Sequence, residues 1–410
     1  SRVRAFVMSP AFDVIVFGAS GFTGRLVAEY LNARHGVGGE LAWAMAGRNL
    51  AKLAEVRDGL GIAATLPLVA ADAADADSMD RLVRQAKLVI TTVGPYQHHG
   101  EHLITACARA GTDYVDLCGE PLWMAQMIPK LQGPAAASGA RIVFSCGFDS
   151  IPFDLGVLYL QDEMQRRFGA PASRVRGRVR VMKGTMSGGT AASALATFER
   201  IAAEPALAGT MADPFALTPG FRGPAQPEGE SAQYDEVAEA WTGPFVMATI
   251  NTKNVHRTNA LRGHPWGRDF IYDERMLTGT GPRGAQRARV LARNAKLQNL
   301  LLGLRPARSL IRRFALPQPG QGPDRAAREA GRYELLFIGQ TADGRSLRAV
   351  VKGDRDPGYG STSKLIAESA LCLVQEVDRS ATTGGVWTPG AAMGLAAARR
   401  LQARAGLSFE

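Results

Sequence analysis

The sequence is poor in cysteine, in aromatic side chains and in long apolar runs. Its 410 residues include 4 cysteines and only 7% aromatics, and no cysteine belongs to a C-x-x-C pair. No stretch reaches the roughly 18 consecutive apolar residues of a spanning helix, and the amino terminus lacks a signal-like apolar region. These absences exclude an integral membrane protein and argue against a fold that needs disulfides. We therefore expect a cytoplasmic protein whose contact with a membrane, if any, is peripheral.

Several catalytic and nucleic-acid signatures are also missing. None of the 8 tyrosines is followed four positions later by lysine, which disfavours the short-chain dehydrogenases. A G-x-S-x-G elbow and a P-loop are absent too, so hydrolase and phosphate-transfer functions lack support. Because helix-turn-helix, zinc-finger and RNA-recognition patterns are likewise missing, no nucleic-acid partner is expected.

Acidic residues are absent from one long segment, residues 281–315. The formal net charge of the chain is +10, and nine cations lie in this segment: Arg283, Arg287, Arg289, Arg293, Lys296, Arg305, Arg308, Arg312 and Arg313. Leucines alternate with these cations, so the segment is predicted to be a basic amphipathic region. Three interpretations remain open: contact with an anionic membrane surface, docking of an acidic synthase or carrier protein, or packing on its own domain.

Regular alternation of short apolar runs and helical patterns fills the first 150 residues. Strands are predicted at Asp13–Phe17, Leu41–Ala46, Pro67–Ala71, Leu88–Val93, Tyr114–Leu117 and Arg141–Ser145, and helices at Gly24–Ala33, Asn49–Gly59, Ser78–Gln85 and Glu101–Ala110 with Gly111 as a cap. This order is typical of an α/β fold with a doubly wound parallel sheet, whose ligands bind at the carboxyl ends of the strands. The alternation fades after Pro152, where the pattern becomes that of a mixed sheet with helices.

Two domains follow from this change of pattern. Residues 8–150 form the predicted nucleotide-binding domain, which we expect residues 355–410 to complete. Residues 151–354, including the basic segment 281–315, form a second α/β domain that is predicted to serve substrate binding or dimerisation. A helix is expected at Ser361–Glu376.

A glycine-rich loop follows the first strand and opens the first helix. It reads Gly18-Ala19-Ser20-Gly21-Phe22-Thr23-Gly24. Gly18 allows a sharp turn, Gly21 allows close approach to a pyrophosphate, and Gly24 allows the helix to pack on the strand. The helix amino terminus then faces the phosphates. Strand, loop and helix together predict a Rossmann-type dinucleotide site, although the spacing is G-x-x-G-x-x-G.

The end of the second strand indicates which nicotinamide cofactor binds. Enzymes that prefer NADH usually carry an acid here for the ribose hydroxyls, whereas this chain has Arg48, Asn49 and Lys52. Arg48 is predicted to stack on adenine and to pair with a 2′-phosphate, with Lys52 one turn further on. The cofactor is therefore expected to be NADPH. A solvated helix start is the alternative, and Asp72 after the third strand fits either an adenine contact or a turn.

The loop after the fourth strand should lie beside the nicotinamide. Val93, Gly94 and Pro95 are expected to line the cofactor, which is compatible with an ordinary turn. Tyr96 follows them and is the first candidate for the catalytic acid; a packing tyrosine is the alternative. His99 is a candidate substrate contact. A metal is not expected, because no cysteine or acid completes a ligand set with the nearby histidines.

Further polar residues follow the fifth and sixth strands. Glu120 and Asp149 are candidate substrate contacts at the ligand-bearing edge of the sheet, although Asp149 with Ser150 equally fits a helix cap. Cys118 is interpreted as a buried thiol rather than a nucleophile.

Taken together, these motifs resemble the saccharopine dehydrogenase-like oxidoreductases. The resemblance rests on the glycine loop, Gly94-Pro95-Tyr96, Asp113-Tyr114-Val115-Asp116, Gly119-Glu120-Pro121 and Cys146-Gly147-Phe148-Asp149-Ser150-Ile151-Pro152. The carboxyl-terminal Gly353-Asp354-Arg355-Asp356-Pro357-Gly358-Tyr359 and Gly384-Gly385-Val386-Trp387-Thr388-Pro389 are similar to the bacterial branch of trans-acting enoyl reductases.

The resemblance implies an NADPH-binding Rossmann domain, a second α/β domain and a carboxyl-terminal segment that returns to the first. It also implies reduction of an enoyl bond in a lipid or polyketide-type substrate, in trans for a synthase without its own reductase domain. Two alternatives remain open: an amino-acid dehydrogenase of saccharopine type, which needs paired basic residues for substrate carboxylates, and a nucleotide-binding scaffold at a lipid surface without turnover. A homodimer is also left open.

Overall fold

A computed structural model of the chain describes residues 9–184, 187–314, 316 and 321–410. Met8, the first residue of the predicted range 8–150, and Ala315, the last residue of the range 281–315, lie outside the described residues. The amino-terminal half contains β1 (Phe12–Phe17), α1 (Phe22–His35), β2 (Trp43–Gly47), α2 (Leu50–Gly59), β3 (Leu68–Ala70), α3 (Ala76–Val83), β4 (Ala86–Thr91), α4 (Tyr96–His99), α5 (Glu101–Ala110), β5 (Asp113–Val115), α6 (Pro121–Ser138), β6 (Arg141–Val143) and α7 (Ile151–Phe168).

The rest of the described chain builds mainly a second sheet. Its elements are β7 (Arg174–Lys183), α8 (Gly188–Ala203), α9 (Leu207–Ala212), β8 (Gln233–Asp235), β9 (Ala240–Pro244), α10 (Ala248–Leu261), β10 (Ile271–Gly279), α11 (Gly281–Gly303), α12 (Arg305–Phe314), α13 (Arg325–Ala330), β11 (Arg332–Gln340), β12 (Ser346–Gly353), a π-helical turn (Pro357–Ser361), α14 (Thr362–Gln375), β13 (Gly385–Trp387), α15 (Pro389–Arg404) and β14 (Leu407–Phe409).

The first sheet has the strand order β13-β6-β5-β4-β1-β2-β3, and every pairing in it is parallel. From β3 to β6 this is the doubly wound order, which reverses direction between β1 and β4 and creates a crevice at their carboxyl ends. The strands are apolar on both faces because helices cover both sides, as β1 with Val14, Ile15 and Val16 illustrates. The structure thus confirms the predicted fold class.

The second sheet has the order β14-β12-β11-β7-β10-β9-β8 and is mixed. Strands β7 and β10 run parallel, and the other pairs are antiparallel. Helix α7 leads from the first sheet and packs on β11, where a Cβ atom on Gly156 would lie 2.4 Å from the Phe337 ring. That close approach requires glycine, so the two sheets share one continuous core.

The carboxyl-terminal segment contributes one strand to each sheet. Strand β13 extends the first sheet beside β6, whereas β14 pairs with β12 in the second. Helices α14 and α15 are joined by a buried ion pair between Glu368 and Arg400 at 2.6 Å, and Glu368 also accepts a hydrogen bond from Tyr30 of α1 at 2.7 Å. Removing either charge would leave the other charge unpaired in the core. The pair therefore fixes the carboxyl-terminal segment against the nucleotide-binding half.

The long helix after β5 was missing from the sequence prediction. Helix α6 connects β5 and β6, and Pro129 and Pro134 lie inside it, which breaks the helical sequence pattern. Both prolines are exposed, and the opposite face buries Trp123 and Met127 among other apolar side chains. Burial of that face outweighs the hydrogen bonds that the two prolines remove.

Candidate functional site

The glycine loop folds tightly between β1, α1 and the loop after β4. Gly18 has φ of 84°, and a Cβ atom there would lie 2.7 Å from Cγ2 of Val93. A Cβ atom on Gly24 would lie 2.2 Å from the carbonyl oxygen of Gly18, while the Gly21 amide donates to that same oxygen at 3.0 Å. Side chains are therefore excluded at Gly18 and Gly24. The first amides of α1 have no acceptors within the helix, and the loop leaves them at the crevice of the sheet.

Two exposed cations follow β2. Arg48 and Lys52 both reach solvent, and Asn49 between them caps α2 by accepting from the Lys52 amide at 3.0 Å. The cap fixes where α2 begins and so fixes the backbone from which both cations project. Asp72 accepts a hydrogen bond from the Ala74 amide at 3.0 Å. This contact is that of a turn, which was one of the two interpretations of Asp72.

The loop after β4 lies against the glycine loop, as the strand order requires. Thr92 and Val93 are the nearest side chains to the position where Gly18 would carry a Cβ atom. The structure therefore brings Val93, Gly94 and Pro95 to the same crevice as the glycine loop.

The Tyr96 hydroxyl is engaged by backbone groups. It donates to the Thr91 carbonyl at 3.1 Å and accepts from the Leu117 amide at 3.0 Å, and the side chain is only 5% exposed. Burial, followed by the nearby charge of Asp116, raises the pKa of Tyr96 well above its usual value. The hydroxyl thus joins the segments that follow β4 and β5, which corresponds to the packing alternative for this residue.

Glu120 is buried and binds the start of α4. Its carboxylate accepts from the Tyr96 amide at 2.7 Å, from the Gln97 side chain at 2.8 Å and from the Ser193 hydroxyl at 3.1 Å. A negative charge at a helix amino terminus is favourable, and Ser193 belongs to α8. Glu120 therefore connects the two halves of the molecule beside the crevice.

His99 is the last residue of α4 and lies within electrostatic range of Arg48. Its side chain is exposed, and partial burial together with the charges of His98 and Arg48 lowers its pKa. Among residues 9–184, 187–314, 316 and 321–410, no group of three His, Cys, Asp or Glu side chains could hold a metal ion.

The loop after β6 is fixed by a buried carboxylate. Asp116 accepts from the Cys118 amide at 2.9 Å, the Ser145 amide at 2.8 Å and the Tyr114 hydroxyl at 2.6 Å. Ser145 has φ of 63°, which is a strained conformation for a residue with a side chain. Asp116 therefore holds the neighbouring loop, which carries Asp149, in one conformation.

Asp149 lies in an apolar niche at the carboxyl edge of the sheet. A Cβ atom placed on Gly119 would lie 3.6 Å from Oδ2 of Asp149. The same Cβ atom would lie 4.0 Å from the side chains of Met247 and Ile250. Burial raises the pKa of Asp149 to about 7, and a hydrogen bond with Thr190 opposes that rise. The residue is only partly exposed. It is therefore a carboxyl group that can hold and release a proton near neutral pH.

Cys118 is fully buried next to this niche, and burial followed by the charge of Asp116 raises the pKa of its thiol well above the usual value. This location is that of a buried thiol. Cys107, Cys146 and Cys372 are buried and unpaired as well.

The second half contributes side chains that the sequence did not single out. Thr190 and Ser193 come from α8, and Met247 and Ile250 come from the start of α10. Polar residues also fill the buried face of α10, where Asn254 donates to the Ser150 hydroxyl at 2.7 Å. The only signal in the sequence is that the α10 segment is polar and lacks an apolar stripe, which looks like a surface helix. Long-range contacts of this kind cannot be read from spacing.

Comparison with known proteins agrees with this arrangement. The protein-family model described as the saccharopine dehydrogenase NADP binding domain matches residues 14–143 of the chain. A Mycobacterium tuberculosis protein provisionally named a trans-acting enoyl reductase is 39% identical over 97% of this chain and 97% of its own length. A second protein of that species, named trans-acting enoyl reductase, is 38% identical over 96% of this chain and 97% of its own.

One solved structure has the same overall fold. Saccharopine dehydrogenase (L-Glu forming) from Saccharomyces cerevisiae matches with a TM-score of 0.54 at 12% identity, covering 97% of this chain and 99% of the other. At that identity the match supports the two-sheet architecture alone.

Proposed function

The chain belongs to the trans-acting enoyl reductase family of saccharopine dehydrogenase-like oxidoreductases, and from this premise we propose that it uses NADPH to reduce an enoyl double bond. The substrate class is a lipid or polyketide-type acyl chain, carried by a synthase that lacks this reductase step. The observation that carries the proposal is the position of Asp149, a partly exposed carboxyl group beside Met247 and Ile250 at the edge of the nucleotide-binding sheet, and burial raises its pKa to about 7.

The residues around the crevice fit a dinucleotide phosphate. Side chains are excluded at Gly18 and Gly24, which keeps the loop tightly folded, and the start of α1 supplies amide donors for a pyrophosphate. Arg48 and Lys52 are exposed cations at the position where the 2′-phosphate distinguishes NADPH from NADH. Val93, Gly94 and Pro95 would line the nicotinamide side. When bound there, NADPH supplies a hydride.

Enoyl reduction needs a hydride at the β-carbon and a proton at the α-carbon. We assign the proton to Asp149 rather than to Tyr96, whose hydroxyl proton is engaged by the Thr91 carbonyl. At neutral pH a large fraction of Asp149 is protonated, so it can donate to the α-carbon and regain a proton from solvent through its exposed side. Met247 and Ile250, which approach Gly119 beside Asp149, would provide an apolar surface for an acyl chain.

The alternative amino-acid dehydrogenase would recognise a dianionic substrate. The pKa of Asp149 is set by burial and by Thr190, without a contribution from a cation. An apolar niche of this kind suits an acyl chain better than substrate carboxylates. The scaffold alternative predicts nucleotide binding without any turnover.

The test is NADPH oxidation by the purified full chain with two substrate panels. One panel contains enoyl thioesters of increasing chain length, and the other contains amino acids with 2-oxo acids. The proposal expects turnover with enoyl thioesters that improves with chain length, and none with the amino-acid panel. Turnover of amino acids alone would support the saccharopine-type alternative. Nucleotide binding without turnover on either panel would support the scaffold alternative.

A further inference from the structure

Helices α11 and α12, residues 281–314, form a basic helix pair that carries nine cations and no acidic residue. Helix α11 packs on β9, β10 and α8, but it does so mainly through small residues. Its buried residues are Gly284, Ala285, Ala288 and Leu302. Packing on the protein's own domain therefore does not account for most of its leucines.

Most of the large apolar side chains of the pair face solvent. Eleven such side chains are exposed in the described part of the chain, and seven of them lie in this pair: Val290, Leu297, Leu300, Leu301, Leu304, Leu310 and Phe314. Leu300 is 64% exposed and Phe314 is 70% exposed. A concentration of this kind is unusual on a soluble surface and indicates an interaction site.

The exposed residues form an ordered stripe. Val290, Leu297 and Leu301 follow one another at spacings of seven and four, which places them on one side of α11. Arg287 and Arg293 lie three residues before and after Val290, and both are exposed, so cations border the stripe on both sides. A groove of about 440 Å³, lined in part by Arg287, Val290 and Leu291, runs beside it.

We propose that the basic helix pair lies on an anionic phospholipid surface, with the leucine stripe in the acyl boundary and the bordering arginines at the headgroup phosphates. An apolar centre with cations on both sides has the charge and polarity profile of an interfacial helix. A second copy of the chain is a poor occupant because it would bring eight further exposed cations to a helix pair that already carries eight. Among the described residues no helix is both long and apolar enough to cross a bilayer, so the contact is with its surface.

The pair is also connected to the candidate site. Arg312 of α12 forms an ion pair with Glu199 of α8, and Ser193 of the same helix binds Glu120. Ser193 and Glu199 are six residues apart, or about 9 Å along the helix axis. A lipid surface held by the pair is therefore close to the crevice. The inference goes beyond the proposed activity and does not depend on it, because binding to vesicles is measured without turnover.

The experiment is co-sedimentation of the full chain with phosphatidylcholine vesicles, with and without phosphatidylglycerol, at low and high salt. We expect binding to the anionic vesicles that salt weakens. The rim variant Arg287→Glu/Arg293→Glu should reduce the partition coefficient about 30-fold or more, since each surface cation contributes roughly a fivefold factor. The matched control Arg81→Glu/Arg84→Glu makes the same charge change on α3, where both side chains are exposed, and should bind like the wild type.

A second pair of variants tests the apolar centre. Leu297→Ser/Leu301→Ser should reduce the partition roughly tenfold or more, whereas Met182→Ser, an exposed apolar residue of β7, should not. Circular dichroism melting checks that each variant folds. Equal sedimentation with neutral and anionic vesicles would overturn the proposal. So would rim and stripe variants that bind like their controls, or binding of a purified acidic carrier protein in place of vesicles.

Discussion

Replacing Asp149 by asparagine removes the one group to which we assign proton donation while it preserves the shape of the side chain. The carboxyl sits in the niche formed with Met247 and Ile250, and burial raises its pKa to about 7. General acids of this kind contribute roughly 10²- to 10⁴-fold to a rate. We therefore expect Asp149→Asn to lower kcat for enoyl reduction at least about 100-fold at pH 7, with little change in the Kd for NADPH.

The pH profile gives a sharper test than the rate alone. The wild-type rate should fall above about pH 7, because the acid loses its proton there, and the residual rate of Asp149→Asn should lack this descent. Thr190→Val should move the descent to higher pH, since the Thr190 hydrogen bond lowers the pKa of Asp149. The assay is steady-state NADPH oxidation from pH 6 to pH 9. Wild-type kcat and an unchanged profile in Asp149→Asn would refute the assignment.

The same substitution has a consequence for stability. The pKa of Asp149 is raised from its ordinary value of 3.8 to about 7 in the folded protein. Between these pH values the unfolded chain releases a proton that the folded chain retains, so folding stability falls as the pH rises from about 4 to about 7. Asp149→Asn has no ionisable group at this position, so its folding stability does not fall with pH for this reason. At pH 8 it should be more stable than the wild type, by at most about 4 kcal/mol, in urea unfolding experiments.

The other predictions concern the cofactor crevice and its support. Gly24→Ala should abolish NADPH binding in a fluorescence titration, because the added Cβ atom would lie 2.2 Å from the Gly18 carbonyl oxygen. Gly59→Ala is the matched control. A Cβ atom at Gly59 has no neighbour within 4 Å, so this variant should bind NADPH normally. Arg48→Ala should weaken NADPH binding about tenfold or more while NADH binding changes little; equal losses for both nucleotides would contradict its role at the 2′-phosphate. Glu120→Gln should destabilise the fold by about 1–3 kcal/mol in thermal or urea unfolding, because it replaces an acceptor of several buried donors; an unchanged unfolding midpoint would contradict that account.

Local patterns were sufficient to predict six of the seven strands of the first sheet. Each of its six amino-terminal strands lies within a few residues of the predicted run, and α5 ends at Gly111 in the left-handed conformation, as its position predicts. These features depend on residues close together in the chain. A strand followed by a glycine loop and a helix has few other ways to fold, so the crevice could be located before the structure was known.

Side-chain orientation could not be predicted in the same way. Tyr96 follows the loop after β4, but its hydroxyl turns towards the Thr91 carbonyl and the Leu117 amide. Glu120 likewise reaches the start of α4 and a serine of α8, more than 70 residues away in sequence. Such contacts depend on how the second half packs on the first, and that packing leaves no periodic signal in the sequence.

For the basic segment, residues 281–315, the sequence left the interpretation open. Its sequence allowed packing, docking or membrane contact, because leucines and arginines alternate in all three. The structure argues against packing alone, since α11 buries mainly glycine and alanine while Leu297 and Leu301 face solvent. Only the fold could show which side of the helix the domain occupies.

The proposed reaction is transfer of a hydride from NADPH to an enoyl chain in the crevice beside the glycine loop. Its most direct test is to incubate the full chain with a long-chain enoyl thioester and NADPH deuterated at the transferable position of the nicotinamide, and to analyse the product by mass spectrometry and NMR. The account predicts a saturated product with one deuterium at the β-carbon and a solvent proton at the α-carbon. Tight NADPH binding with no deuterium in any enoyl product would contradict it.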